Sequence, residues 1–121
     1  MDTITSLDGL TPGAYAVHNK YDPSFFDTYN YCYEIVGTVE IASLDEKIAV
    51  AYRPLYTSVT GVEHKHRADF LHAVRLADEF FGTIEKNGEV RPRFKVFRSK
   101  DELEKFLETS REQSALGQYI W

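Results

Sequence analysis

Residues 74–94 read VRLADEFFGTIEKNGEVRPRF, and the reading of this stretch decides the fold. Asn87-Gly88 is a strong hairpin signal, because both residues tolerate the positive φ of a two-residue type I′ turn. Residues 81–86 and 89–97 are then its two antiparallel strands. Arg91, Arg93 and Lys95 occupy alternate positions of the second strand and share one face. Guanidinium groups on one face can fork onto phosphate oxygens. The same charges also suit a solvated edge strand protected against pairing. Ahead of the turn, residues 70–81 are ambiguous. Phe70, Val74, Ala77 and Phe81 fit helical spacing, and Gly82 could be a C-terminal stop. If Phe80 and Phe81 instead both lie in a strand, they point to opposite faces. One is then core, and the other is second-layer core or a platform for stacking a base.

Working towards the N-terminus, residues 57–69 (TSVTGVEHKHRAD) form a long polar loop with a basic centre. Residues 33–42 and 47–56 are rich in β-branched and aromatic residues and read as an antiparallel pair around a turn at 43–46. Pro54 marks a strand end or edge. Residues 21–31 (YDPSFFDTYNY) are an aromatic insertion. Its Asp22-Pro23 would start one or two helical turns with Asp as cap and Pro at the first position. Residues 14–20 are a candidate first strand after the break at Pro12-Gly13. Towards the C-terminus, Ser99 and Glu102 form a capping box, and Leu103, Phe106 and Leu107 give one apolar stripe. A helix over 100–112 follows, then an apolar tail ending in Tyr119-Ile120-Trp121.

The 121 residues suit one domain, with 43% hydrophobic and 27% charged residues. A formal net charge of −5 argues against general nucleic-acid binding, which depends on neutralising phosphates. The charge is uneven. Residues 63–100 carry nine Lys/Arg against six Asp/Glu, a basic zone on an acidic chain. Such a zone suits a small anionic ligand better than a long polymer. The single Cys32 leaves no intramolecular disulfide and reads as a small buried hydrophobe. No run is apolar enough to span a membrane, and the expected location is the cytoplasm.

Other constellations divide between binding and plain structure. Arg53, beside Tyr52, could grip a phosphate or pair with a carboxylate at the core edge. His64 and His66 would share one side of a strand, as metal ligands must, but Lys65 and Arg67 repel a cation. Those residues and Arg67 therefore read as a phosphate-contacting or solvated loop. Tyr15, Tyr21, Phe25, Phe26, Tyr29, Tyr31 and Tyr33 could stack a purine or form core and subunit contacts. No nucleophile–base pair, P-loop, Rossmann glycine series or H-E-x-x-H motif is present. No catalytic, metal or cofactor residue is assigned.

Several fragments resemble, in order, a family of small bacterial and phage domains of unknown function. That family reads Pro-Gly-x-Tyr, Tyr-Glu-Val-x-Gly, Val-Tyr-Arg-x-Leu-Tyr, Val-Arg, Phe-Phe, Asp-Gly and Pro-Arg-Phe. The corresponding fragments here are Pro12-Gly13-Ala14-Tyr15, Tyr33-Glu34-Ile35-Val36-Gly37, Ala51-Tyr52-Arg53-Pro54-Leu55-Tyr56, Val74-Arg75, Phe80-Phe81, Asn87-Gly88 and Pro92-Arg93-Phe94. The resemblance implies a small bent SH3-like barrel over residues 10–97, with residues 70–81 as a strand followed by a tight turn. The chain departs from the pattern in the insertion at 21–31, the longer loop at 57–69, and Ala42-Ser43-Leu44-Asp45 in place of a His-Ser-Glu-Thr-like stretch. The C-terminal helix is a further addition. A small barrel with added loops and such a helix also resembles phage anti-Thoeris proteins that sequester cyclic ADP-ribose signals. No ligand residue transfers from them.

The expectation is a mainly β, α+β domain. About six strands form a small bent antiparallel barrel or sheet over 10–97, with a helix over 99–113 and an apolar tail over 114–121. The expected function is non-catalytic sequestration of a nucleotide-derived signal, a cyclic ADP-ribose isomer or cyclic dinucleotide. Its basic, aromatic pocket would draw on Arg53, Phe80, Phe81, Arg91, Arg93, His64, His66, Arg67 and Tyr29. The alternatives are a protein-interaction module with an aromatic groove and, third, a nucleotide-processing enzyme. The apolar tail and aromatic insertion further predict a homo-oligomer, at least a dimer.

Overall fold

The computed structural model describes residues 3–25, 28–55 and 73–117. The expectations for His64, His66, Arg67, Phe26, the loop at 57–69 and the tail residues Tyr119 to Trp121 lie outside the described residues.

The fold is α+β and mostly antiparallel, with seven strands and a C-terminal helix among the described residues. Strands β1 (Tyr15–His18), β2 (Cys32–Ile41), β3 (Lys47–Pro54) and β4 (Ala73–Leu76) come first. A single helical turn, α1 (Ala77–Phe80), follows. Then come β5 (Thr83–Lys86), β6 (Glu89–Pro92), β7 (Phe94–Phe97) and helix α2 (Lys100–Ala115). Five strands form one sheet in the order β4-β3-β2-β1-β7, and β5-β6 is a separate hairpin. The sheet is bent but not closed into a barrel. Its two ends, β4 and β7, do not pair with each other.

The β2–β3 pair forms as the alternation predicts, from Tyr33 opposite Pro54 to Ile41 opposite Lys47. The register slips at Val36, which adds one unpaired residue to β2 between Ile35 and Gly37. A bulge of this kind bends the strand. The β5–β6 hairpin turns at Asn87 (φ 54°) and Gly88 (φ 80°), the left-handed pair a type I′ turn needs. Residues 73–80 are a short strand and then one tight turn.

Two sequence expectations change here. Residues 89–97 are not one strand. Pro92 has no N–H of its own to give, and Arg93 is the junction between the hairpin and the large sheet. Its N–H donates to Gly82 O (2.9 Å), and its carbonyl accepts from Asn19 N–H (3.0 Å). The chain therefore leaves the hairpin at Arg93 and joins the large sheet as β7, and strict alternation from Arg91 to Lys95 does not apply. The second change concerns Asp22-Pro23, which makes a tight turn. Asp22 Oδ1 accepts from the Ser24 N–H (2.9 Å) and hydroxyl (2.6 Å), and no helix follows among the described residues.

The sheet separates two cores. On one face lie Ala16, Ile35, Val50, Tyr52, Phe94 and Val96, closed by Ile4 and Phe80. On the other, Val17, Cys32 and Phe97 pack under Leu103, Phe106 and Leu107 of α2, with Tyr21 at the edge. Cys32 is buried there. The N-terminal segment covers the outer edge of β7, where Ile4 N–H donates to Val96 O (2.8 Å).

The capping box holds α2 in place. Ser99 Oγ accepts from Glu102 N–H at 3.3 Å, and Glu102 Oε2 reaches back to Arg98 N–H at 3.1 Å. Ser99→Ala should lower stability by about 1 kcal/mol. Urea denaturation checks this, and an unchanged midpoint would show that the cap is not needed.

Candidate functional site

The site is built on the face opposite α2, at the end where β1 meets β7. His18 closes β1 opposite Phe94, and strand alternation puts it on the same face as Ala16. Its ring meets Phe94 edge-on at 4.9 Å and Tyr31 at 5.8 Å. Behind Phe94 stand Tyr33 (6.0 Å), Tyr52 (5.5 Å) and the stacked ring of Phe80 (4.3 Å). Phe94 is thus the centre of an aromatic floor drawn from four separate segments.

Cations gather over this floor. Arg75, from β4, lies 5.7 Å from the Phe94 ring centroid and 3.4 Å, through Nε, from the Tyr52 hydroxyl. Among the described residues its ion pair is with Glu79 one helical turn on, at 3.6 Å. Lys86, from β5, donates to Asn19 O at 2.8 Å. Arg93 sits where the chain leaves the hairpin, and its Nε is buried without a hydrogen bond among the described residues. The charges register on His18. Burial first, and then the positive charges of Arg75, Lys20, Arg93 and Lys86, push its imidazole down to about 4. His18 is therefore neutral at pH 7.

This neutrality makes stability depend on pH. The unfolded chain protonates His18 near its ordinary value of about 6.5, whereas the folded chain resists protonation down to about 4. Between these values the unfolded state binds more protons, so stability falls as pH drops from 6.5 to 4 and is flat above. The loss should be of order 1–2 kcal/mol, since partial exposure screens the effect. Denaturation midpoints from pH 4 to 8 check this. In His18→Gln the part of the slope due to His18 should vanish.

The sequence-predicted residues separate on folding. Arg53 lies on the α2 side of the sheet, is 51% exposed and is ion-paired with Glu34, its cross-strand partner. Tyr29 also lies on that side. Its hydroxyl bonds to Glu104 of α2, and that bond, with burial, pushes it up to about 12. Tyr29 therefore ties the insertion to the helix. Arg91 pairs with Glu89 at 2.6 Å in the hairpin. Phe80 is fully buried core. Phe81 packs edge-on against it at 5.1 Å and lines a cleft of about 420 Å³ with Thr3, Thr5, Thr83, Lys95 and Phe94 itself. Of the predicted set, Arg93 belongs to the cationic cluster.

His18, Arg75, Lys86 and Tyr52 were missed as site residues, whereas Tyr33 stood among the aromatics that could stack a purine. Alternation in Tyr15–His18 was a usable signal for the face of His18. The approach of Arg75 and Lys86 depends on strand order and register, which the sequence does not display.

No family model matches the chain, and no curated protein matches it. The fold is similar to that in the crystal structure of a protein of the DUF1653 family from Bordetella bronchiseptica. The two chains are 21% identical over 74% of this chain and 90% of the other, with a TM-score of 0.49.

Proposed function

We propose that this protein binds a small anionic, nucleotide-derived ligand on the face around His18 and does not transform it. The observation that carries this reading is the convergence of Arg75, Arg93, Lys86 and Lys20 on His18 above an aromatic floor. The four cations come from four separate segments: β4, β5, the link before β7 and the chain after β1. Holding like charges together has an electrostatic cost that a bound anion would offset. Arginine supplies forked donors for phosphate oxygens, and the half-buried Tyr31 and Tyr33 add aromatic surface beside His18 and Phe94. Sequestration of a cyclic ADP-ribose isomer or cyclic dinucleotide is the specific form of this reading. It rests on the resemblance and on this chemistry together.

Calorimetry with cyclic ADP-ribose isomers, cyclic dinucleotides and linear nucleotides tests it. At least one should bind, with an affinity that falls as salt rises, because screening shortens from about 10 Å at 0.1 M to about 3 Å at 1 M. Chromatography of the recovered ligand should return it unchanged, whereas a new product would mean an enzyme. If no panel member binds, the reading fails.

One observation favours a second reading, association with another protein or a second copy. Away from α2, the same sheet face carries valines that reach solvent, while the alanines between them are buried. There Val39 pairs with Ala49 and Ala51 with Val74, all pointing to the α2 side. Val74 is 52% exposed. Light scattering at micromolar concentration distinguishes a homodimer from the 13.9 kDa monomer.

A further inference from the structure

Two side chains at the end of β1 have their hydrogen-bonding roles fixed by the backbone. His18 Nδ1 accepts from the Lys20 N–H at 3.1 Å. A peptide N–H can only donate, so Nδ1 carries no proton, and neutral His18 holds its proton on Nε2. The orientation of the Asn19 amide is set in the same way. Its Nδ2 lies 3.2 Å from the Arg93 carbonyl, which can only accept, so this atom is the nitrogen and uses one of its two hydrogens there. His18 Nε2 and Asn19 Nδ2 are 3.4 Å apart. With both roles fixed, that approach brings two donors together and is not a hydrogen bond between them. Asn19 is buried and cannot turn away into solvent.

We infer that His18 Nε2–H and the second Asn19 Nδ2–H converge on one acceptor atom, and that together they form the notch receiving an anionic phosphate oxygen. This rests on the proposed reading of the site and deepens it by naming the atoms that hold the anion. The positive charges that act on His18 are Arg75 from β4, Lys86 from β5, Arg93 from the link before β7, and Lys20 beyond β1, and Lys86 bonds the Asn19 carbonyl beside the notch. They bring a phosphate towards the notch. The neutral pair then orients it without a proton of its own to lose between pH 6 and 8. An acceptor there would relieve the donor–donor approach, and charge-assisted bonds to it would be short and directional.

The experiment is nitrogen-15 NMR of the imidazole in the whole chain at pH 7, titrated with inorganic pyrophosphate, beside calorimetry of the same titration. The expected result is a protonated Nε2 and an unprotonated Nδ1 before addition. The Nε2 proton should then move downfield on binding, while Nδ1 barely shifts. His18→Phe keeps the ring packing on Phe94 but has no donor, and should weaken pyrophosphate about tenfold. His18→Gln, which restores an N–H, should recover most of that loss. Binding with a protonated Nδ1, or with an Nε2 proton that does not respond, overturns the notch and leaves the broader reading standing. Absence of binding by pyrophosphate and by every nucleotide overturns both. Should His18→Phe fail to fold, the wild-type NMR titration still decides the matter.

Discussion

Phe80→Ala should lower the unfolding free energy by about 3–5 kcal/mol, a large part of the 5–15 kcal/mol that holds a domain of this size folded. The melting temperature should fall by more than about 10 °C. Phe80 is fully buried and stacks on Phe94 at 4.3 Å, almost parallel to it. It also meets Tyr52 at 5.6 Å and Phe81 at 5.1 Å. Truncation would leave a cavity beneath the floor of the binding face, between rings held by separate strands that cannot easily collapse inwards. Phe81→Ala is the internal comparison. Its ring is half-buried at a cleft, so the loss should be about 1–2 kcal/mol. Paired urea denaturations measure both. Near-equal losses, or a loss below about 1 kcal/mol for Phe80, would contradict the assignment of Phe80 to the core.

This pair of phenylalanines also marks the limit of what the sequence displays. Two adjacent aromatics in a strand must face opposite ways, and on that premise one of them was free to meet a ligand. A single turn of helix over Ala77–Phe80 changes the geometry, and both rings pack against each other. The signals that proved legible are local and obligatory. Asn87-Gly88 needs left-handed φ values and has them. Ser99 and Glu102 cap a helix because an unpaired N–H at its start requires an acceptor, and the stripe of Leu103, Phe106 and Leu107 buries as its spacing dictates. Alternation set the β2–β3 register apart from the bulge at Val36.

What stayed hidden depends on partners remote in sequence. Arg53 and Arg75 look equivalent along the chain, each beside a hydrophobic residue in a strand. The register of β3 on β2 puts Arg53 opposite Glu34, on the α2 side. The register of β4 on β3 puts Arg75 opposite Val50, on the other face. Arg93 passes from the hairpin to the large sheet because Gly82, 11 residues away, takes its N–H and Asn19, 74 residues away, takes its carbonyl. The basic zone was therefore visible as a composition bias, while its division between two faces was not.

That division yields the sharpest functional test. Arg93→Ala and Arg75→Ala should each weaken an anionic ligand about tenfold or more. A hydrogen bond to a charged group is worth about 1.5–3 kcal/mol, and about 1.4 kcal/mol is a factor of ten. Arg53→Ala should change affinity less than about twofold, because Arg53 lies across the sheet and is already paired with Glu34. Folding should survive in all three. Arg93 secures the hairpin junction through its backbone rather than its guanidinium. Arg75 would forfeit a cation–π contact and an exposed ion pair worth together about 1 kcal/mol. Arg75→Lys separates charge from shape. It keeps the positive charge but cannot fork onto two oxygens, so it should recover only part of the affinity. Calorimetry at one fixed salt concentration compares the four variants. Equal losses in Arg53→Ala and Arg93→Ala would mean that general surface charge, rather than this face, holds the ligand. If Arg75→Ala and Arg93→Ala bind like the wild type, the anion lies elsewhere, and the cluster around His18 has no part in recognition.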